Sequence, residues 1–145
     1  MKKAFTMIEL VFVIVILGVL AAVAVPKFSG ATQSAQIAKA KNDVATIRSA
    51  ILTERQGQLI KGINSFIPKL SDNSDLLFMG DGTRKLLMYG IKSGTTSGKW
   101  SADDTGYKNY TFHFDSEDVA FTYDNDTGVF SCDRAASENC RKLID

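Results

Sequence analysis

The sequence predicts an α+β protein: one long amino-terminal helix whose rear half packs on a small antiparallel sheet. Three observations predict it. Residues 5–25 are apolar on every side apart from Glu9. Beyond them Ile37, Ala40, Val44, Ile47 and Ile51 recur at spacings of three and four, one apolar stripe on a helix. Residues 109–132 then alternate aromatic and polar side chains with the period of two that a half-buried strand requires.

The apolar run has no face suited to water. At about 1.5 Å per residue it reaches roughly 31 Å, close to the hydrocarbon thickness of a bilayer. Lys2 and Lys3 stand in front of it. A carboxylate at membrane depth costs roughly 2.5–3.5 kcal/mol on insertion scales, so Glu9 marks function or is solvated near the headgroups. A functional Glu9 needs an amine within reach. Cutting the chain between Ala4 and Phe5 creates one, the α-amino group of Phe5, which could neutralise the Glu9 of a neighbouring chain.

Lys2-Lys3-Ala4, followed by Phe5-Thr6-Met7-Ile8-Glu9-Leu10 and an apolar run that ends at Pro26, resembles the amino terminus of type IV pilins and type II secretion pseudopilins. The resemblance covers the first thirty or so residues. It implies a leader over residues 1–4, cut by a prepilin peptidase between Ala4 and Phe5, and N-methylation of Phe5. It implies a role for Glu9 in processing and assembly. Ala4 departs from the glycine commoner at that place. A secretory signal peptide fits the same stretch, with Lys2 and Lys3 as its charged end and Ala22-Val23-Ala24 as its cleavage motif. Glu9 at the edge of the apolar core and Pro26 just past that cut argue against it.

The helix is expected to continue past Pro26, with a kink where proline removes a donor and crowds the preceding turn. Gly18 and Pro26 bracket the natural place to bend or locally unwind. The helix should run from about Phe5 to about Leu59 and end at Gly62. Such a rod is roughly 80 Å long, so its membrane half must protrude from a domain of this size. The predicted organisation is leader 1–4, membrane or filament-core helix 5–25, amphipathic half 26–62 and a β-rich domain over 63–145 with a carboxyl-terminal loop.

Between residues 63 and 106 the pattern is less regular. Residues 72–75 could cap a short helix through Met79. Gly80-Asp81-Gly82 is a turn; its likeness to a phosphate loop fails on spacing. Tyr110, Phe112 and Phe114, then Val119, Phe121 and Tyr123, then residues 129–132, read as three antiparallel strands joined by turns at 115–118 and 124–128. The aromatic face would bury against the Ile37 to Ile51 stripe. His113 would point the other way, into solvent.

Cys132 and Cys140 are the only cysteines. Their spacing suits a small loop closed by a disulfide, for which chain entropy gives roughly 2.5 kcal/mol in an oxidising compartment. Two free thiols are the alternative. Asp124-Asn125-Asp126-Thr127-Gly128 spaces oxygen ligands as calcium loops do, which makes Asp124 and Asp126 the calcium candidates. Arg134 stands where an EF-hand glutamate would be, and turn chemistry accounts for the same residues. No other cofactor is expected.

The part after Pro26 carries 15 basic and 15 acidic side chains and so has no basic field for nucleic acid. There is one histidine and no nucleophile-elbow or metalloprotease motif, so no enzyme is expected. The sequence and the resemblance lead to a structural subunit with four sets of partners: copies of itself or similar subunits, the prepilin peptidase, an inner-membrane assembly platform and the membrane. They imply a single-pass inner-membrane protein with a periplasmic carboxyl-terminal domain. A secretion pseudopilus, a surface pilus and a DNA-uptake pilus all remain open, as does a monomeric anchored binding domain.

Overall fold

The computed structural model describes residues 5–103 and 106–144, without the side chains of residues 25–29. Lys2, Lys3 and Ala4 lie outside the described residues. Helix α1 runs from Met7 to Ile60. The chain divides into two compact units, Met1–Ala35 and Gln36–Asp145.

The first unit is the front of α1. Met7–Ala24 is long and apolar enough to cross a membrane, at about 27 Å for its 18 residues. Its large apolar side chains are exposed all round, Phe12 by 66% and Leu17 by 58%. The helical assignment continues through Gly18 and Pro26. The kink expected at Pro26 falls among side chains outside those described.

In the second unit α1 buries Ala40, Val44, Ile47 and Ile51, with Ile37 packed at the margin. The helix ends as expected at Gly62, whose φ of 78° suits glycine. Gly62 N–H donates to the Leu59 carbonyl and Ile63 N–H to the Gln58 carbonyl, so two otherwise orphaned acceptors are satisfied.

Four strands form the main sheet in the order β3-β4-β5-β6, all antiparallel: β3 (Trp100–Ala102), β4 (Asn109–Phe112), β5 (Val119–Asp124) and β6 (Val129–Cys132). The sequence predicted the last three. The edge strand β3 was missed because three residues are too few to show an alternation. Trp100, Tyr110, Phe112, Phe121, Tyr123 and Phe130 point to one face and are buried. Two polar links fasten that face to α1 at opposite edges of the sheet. Trp100 Nε1 donates to Asp43 Oδ2 at 3.0 Å, and Arg48 Nε donates to the Phe130 carbonyl at 2.9 Å.

A second, two-stranded sheet pairs β1 (Leu76–Leu77) with β2 (Ile91–Lys92). This corrects the short helix expected from residues 72–75. Asp75 N–H donates to Asn73 Oδ1, an Asx turn, and Ser71 Oγ accepts from Phe78 N–H at 2.9 Å. These side chains take the amides a helix start would have used and draw the backbone into extended form. Phe78 sits at φ 63° and drives its ring into the core, 4.5 Å from the ring of Tyr110.

Residues 138–144 also depart from expectation. Helix α2 (Glu138–Ile144) stands where a loop was predicted. Ser137 caps it, accepting from Cys140 N–H, and Cys140 and Leu143 are buried. The Cys132–Cys140 disulfide is formed, with Cα atoms 5.9 Å apart, and ties α2 to the end of β6.

Candidate assembly site at the amino terminus

The front of α1 begins with a reciprocal cap. Thr6 precedes the helix and Glu9 sits three residues on. Glu9 Oε2 accepts from Thr6 N–H at 2.9 Å and from the Thr6 hydroxyl at 2.8 Å, and Glu9 N–H donates back to Thr6 Oγ1 at 3.3 Å. Two donors that a helix start leaves without partners are thereby satisfied. A negative charge in the first turn also meets the positive end of the helix dipole.

Phe5, Ile8, Phe12 and Val13 line, together with Glu9, a shallow open apolar groove. All four are exposed. The site therefore presents one oriented carboxylate on an unpartnered apolar surface. Chemically it can accept a cation whose carrier is itself apolar.

Thr6 was not singled out from the sequence. The signal was there: Thr-x-x-Glu immediately before an apolar run is the spacing of a capping box. Phe5, just ahead of α1, and Glu9 line the same groove. Ala4, the other side of the expected cut, lies outside the described residues. Gly18 is far along the helix from this site, and a Cβ there would meet nothing within 4 Å.

The remaining candidates lie in the second unit. Asp124 Oδ2 accepts from Thr127 Oγ1 at 2.7 Å and Oδ1 from Asp126 N–H at 2.9 Å. Those bonds, the Thr127 hydroxyl first, hold its carboxyl below the ordinary range. Asp126 Oδ1 accepts from Asn125 Nδ2 at 3.3 Å. The loop closes with Gly128 N–H on the Asp124 carbonyl. Among the described residues no three His, Cys, Asp or Glu side chains gather as a metal cluster would. In the Gly80-Asp81-Gly82 turn, Asp81 Oδ1 accepts from the amides of Thr83 and Arg84, so those amides face their own carboxylate rather than an anion.

His113 is a correction. The sequence placed it in solvent, but its side chain is only 15% exposed and is held from both sides. Nδ1 lies 2.8 Å from Asp118 Oδ2 and Nε2 lies 2.9 Å from Ser101 Oγ. The unrecognised strand β3 supplies the serine.

The chain thus combines an exposed apolar helix, long enough to cross a membrane and headed by a capped carboxylate, with a small disulfide-closed α+β domain. Residues 1–25 match the family model described as the prokaryotic N-terminal methylation motif. The chain is 30% identical over 102 residues to a fimbrial protein of Pseudomonas aeruginosa, covering 65% of this chain and 64% of that one. It is 50% identical over 48 residues to the type IV narrow pilus major component PilA5 of Thermus thermophilus, covering 33% of this chain and 41% of that protein. A type IV major fimbrial protein FimA of Dichelobacter nodosus is 36% identical over 53 residues, 37% of this chain and 34% of that one. The motif and these relatives support a likeness to the type IV pilin family. It spans less than two thirds of the length of the relatives named here. No solved structure matches it.

Proposed function

We propose that this chain is a non-enzymatic structural subunit of a type IV pilus. A prepilin peptidase cuts it between Ala4 and Phe5 and methylates Phe5. The mature chain waits in the inner membrane on its single apolar helix, with the disulfide-closed domain on the oxidising, periplasmic side. An assembly platform then lifts subunits into a filament at the cell surface. The relatives bear fimbrial and pilus names, which favours a pilus over a secretion pseudopilus.

The observation that carries this reading is the placement of Glu9, oriented by Thr6 on an apolar face beside Phe5. In a filament that face meets the apolar helices of other copies instead of lipid. Little hydrophobic energy changes in that exchange, so packing and polar pairing decide the outcome. The new amine of Phe5 on one copy neutralises Glu9 on the next, and the pair sets the stagger between them.

The test has two parts. Mass spectrometry of the membrane-associated chain should find a terminus at Phe5 carrying one methyl group. Glu9→Leu should then give a membrane-inserted subunit without filaments by electron microscopy. A mature start at Val25 would show signal-peptide cleavage and end the proposal. Normal filaments from Glu9→Leu would remove the charge pairing.

A further inference from the structure

We propose that Ser101 is a nucleophilic hydroxyl and a site of covalent acylation, activated by His113 and Asp118. The three converge from three separate stretches of the sheet. Ser101 lies on β3 and pairs with Thr111 of β4. His113 follows two residues later along the same line, on the same outward face. Asp118 immediately precedes Val119, the first residue of β5, which pairs with Phe112. The register thus brings Asp118 alongside His113 on the side away from Ser101.

The backbone around the imidazole is fixed. His113 N–H donates to the Lys99 carbonyl at 2.9 Å, and its own carbonyl accepts from Gly98 N–H at 2.8 Å. The ring is mostly covered while Asp118 is half exposed. The order of atoms matters more than the proximity. A carboxylate accepts the Nδ1 proton, which leaves Nε2 of a neutral imidazole with its lone pair aimed at the serine. A hydroxyl 2.9 Å from that lone pair can give up its proton as it attacks.

The step balances as follows. Ser101 Oγ bonds to the carbonyl carbon of an activated acyl donor, an aryl ester or thioester, and its proton passes to His113 Nε2. The tetrahedral adduct collapses, the bond to the aryloxide or thiolate breaks, and the leaving group takes the proton from Nε2. Ser101 ends as an ester, and His113 has passed the proton on and returns to its starting form. The site lies on the open face of the sheet, so the assignment is a single transfer onto Ser101 rather than turnover.

The test uses the full chain in detergent micelles with p-nitrophenyl acetate as probe. Peptide mapping by mass spectrometry follows acetylation at Ser101 and, as an internal control, at the exposed Ser116. General-base assistance predicts Ser101 reacting at least about 100-fold faster than Ser116. His113→Asn and Asp118→Asn should each remove most of that excess. Ser101 reacting no faster than Ser116 in the unaltered chain would overturn the proposal, and that comparison needs no variant to fold. So would an excess that His113→Asn leaves unchanged while Trp100 fluorescence reports a native core.

Discussion

Arg84→Ala tests how the irregular stretch between helix and sheet is held. Arg84 Nε and Nη2 donate to Glu54 Oε1 and Oε2 at 2.7 and 2.6 Å, a bidentate pair. Nη1 donates to the Phe66 carbonyl at 3.0 Å and Nη2 to the Ser65 carbonyl at 3.1 Å. The side chains are 14% and 5% exposed, so the pair is screened from water. One guanidinium therefore joins α1, the chain at 65–66 and the turn at 80–85. Truncating it leaves the Glu54 charge buried with the hydrogen bond from Gln58 Nε2 at 2.7 Å, together with two carbonyls that lose their donor. Removing one partner of such a pair costs about 3–5 kcal/mol. Against a usual domain stability of about 5–15 kcal/mol, that is roughly a fifth or more of the total. Urea unfolding of the full chain in micelles, followed by the fluorescence of the one tryptophan, buried Trp100, measures it. The pair Glu54→Leu with Arg84→Met should cost less than the two single changes added together, because no charge is then left buried. A loss below about 1 kcal/mol for Arg84→Ala would place this pair with surface ion pairs and refute the argument.

Further outcomes follow from other contacts. Phe78→Ala should lose about 3–5 kcal/mol by the same assay, since it empties a ring-sized volume beside Tyr110, Trp100 and Phe130. Reducing the Cys132–Cys140 bridge should lower unfolding stability by roughly 2.5 kcal/mol, with hydrogen exchange rising first in α2. Thr6→Ala should cost about 1 kcal/mol of helix start, seen as faster amide exchange at Ile8 to Leu10, while Thr6→Ser should restore protection. Burial pushes the Tyr123 hydroxyl up to about 12 and raises Tyr110 further. Both are neutral donors in the fold, Tyr123 to the Ile67 carbonyl and Tyr110 to that of Tyr107. A folded-state value above the unfolded one means their stabilisation is complete below about pH 10 and is lost as pH rises toward 12. Thermal unfolding should show a steep alkaline decline in that window, and a flat profile to pH 12 would contradict the burial.

The helix was legible because its signals are local and redundant. An unbroken apolar run, a three-and-four stripe and a terminal glycine each report on residues adjacent in sequence. Strands β4 to β6 were legible for the same reason, since each is long enough to show alternation and is bounded by turn residues. Residues 63 to 106 were not. Phe78 enters the core at a positive φ, which apolar patterning does not anticipate. β3 exists because β4 offers it a partner, and Arg84 earns its place only by contacts with Glu54, Phe66 and Ser65, all distant in sequence. Position His113 alternates with aromatics, which gave its face correctly, but its neighbours are Ser101 on β3 and Asp118 just ahead of β5, both set by pairing rather than by pattern.

By itself the sequence determined the apolar rod, the single carboxylate near its head and the amino-terminal methylation-type motif. These depend on composition and spacing along one segment, which an extended chain already contains. Only the tertiary structure decided which side chains stand beside that carboxylate's counterparts in the folded domain: the guanidinium on Glu54, the ring of Phe78 under the sheet, the serine and aspartate on either side of His113. Those neighbours are set by strand register and by burial, and both come into being only when remote segments share one core.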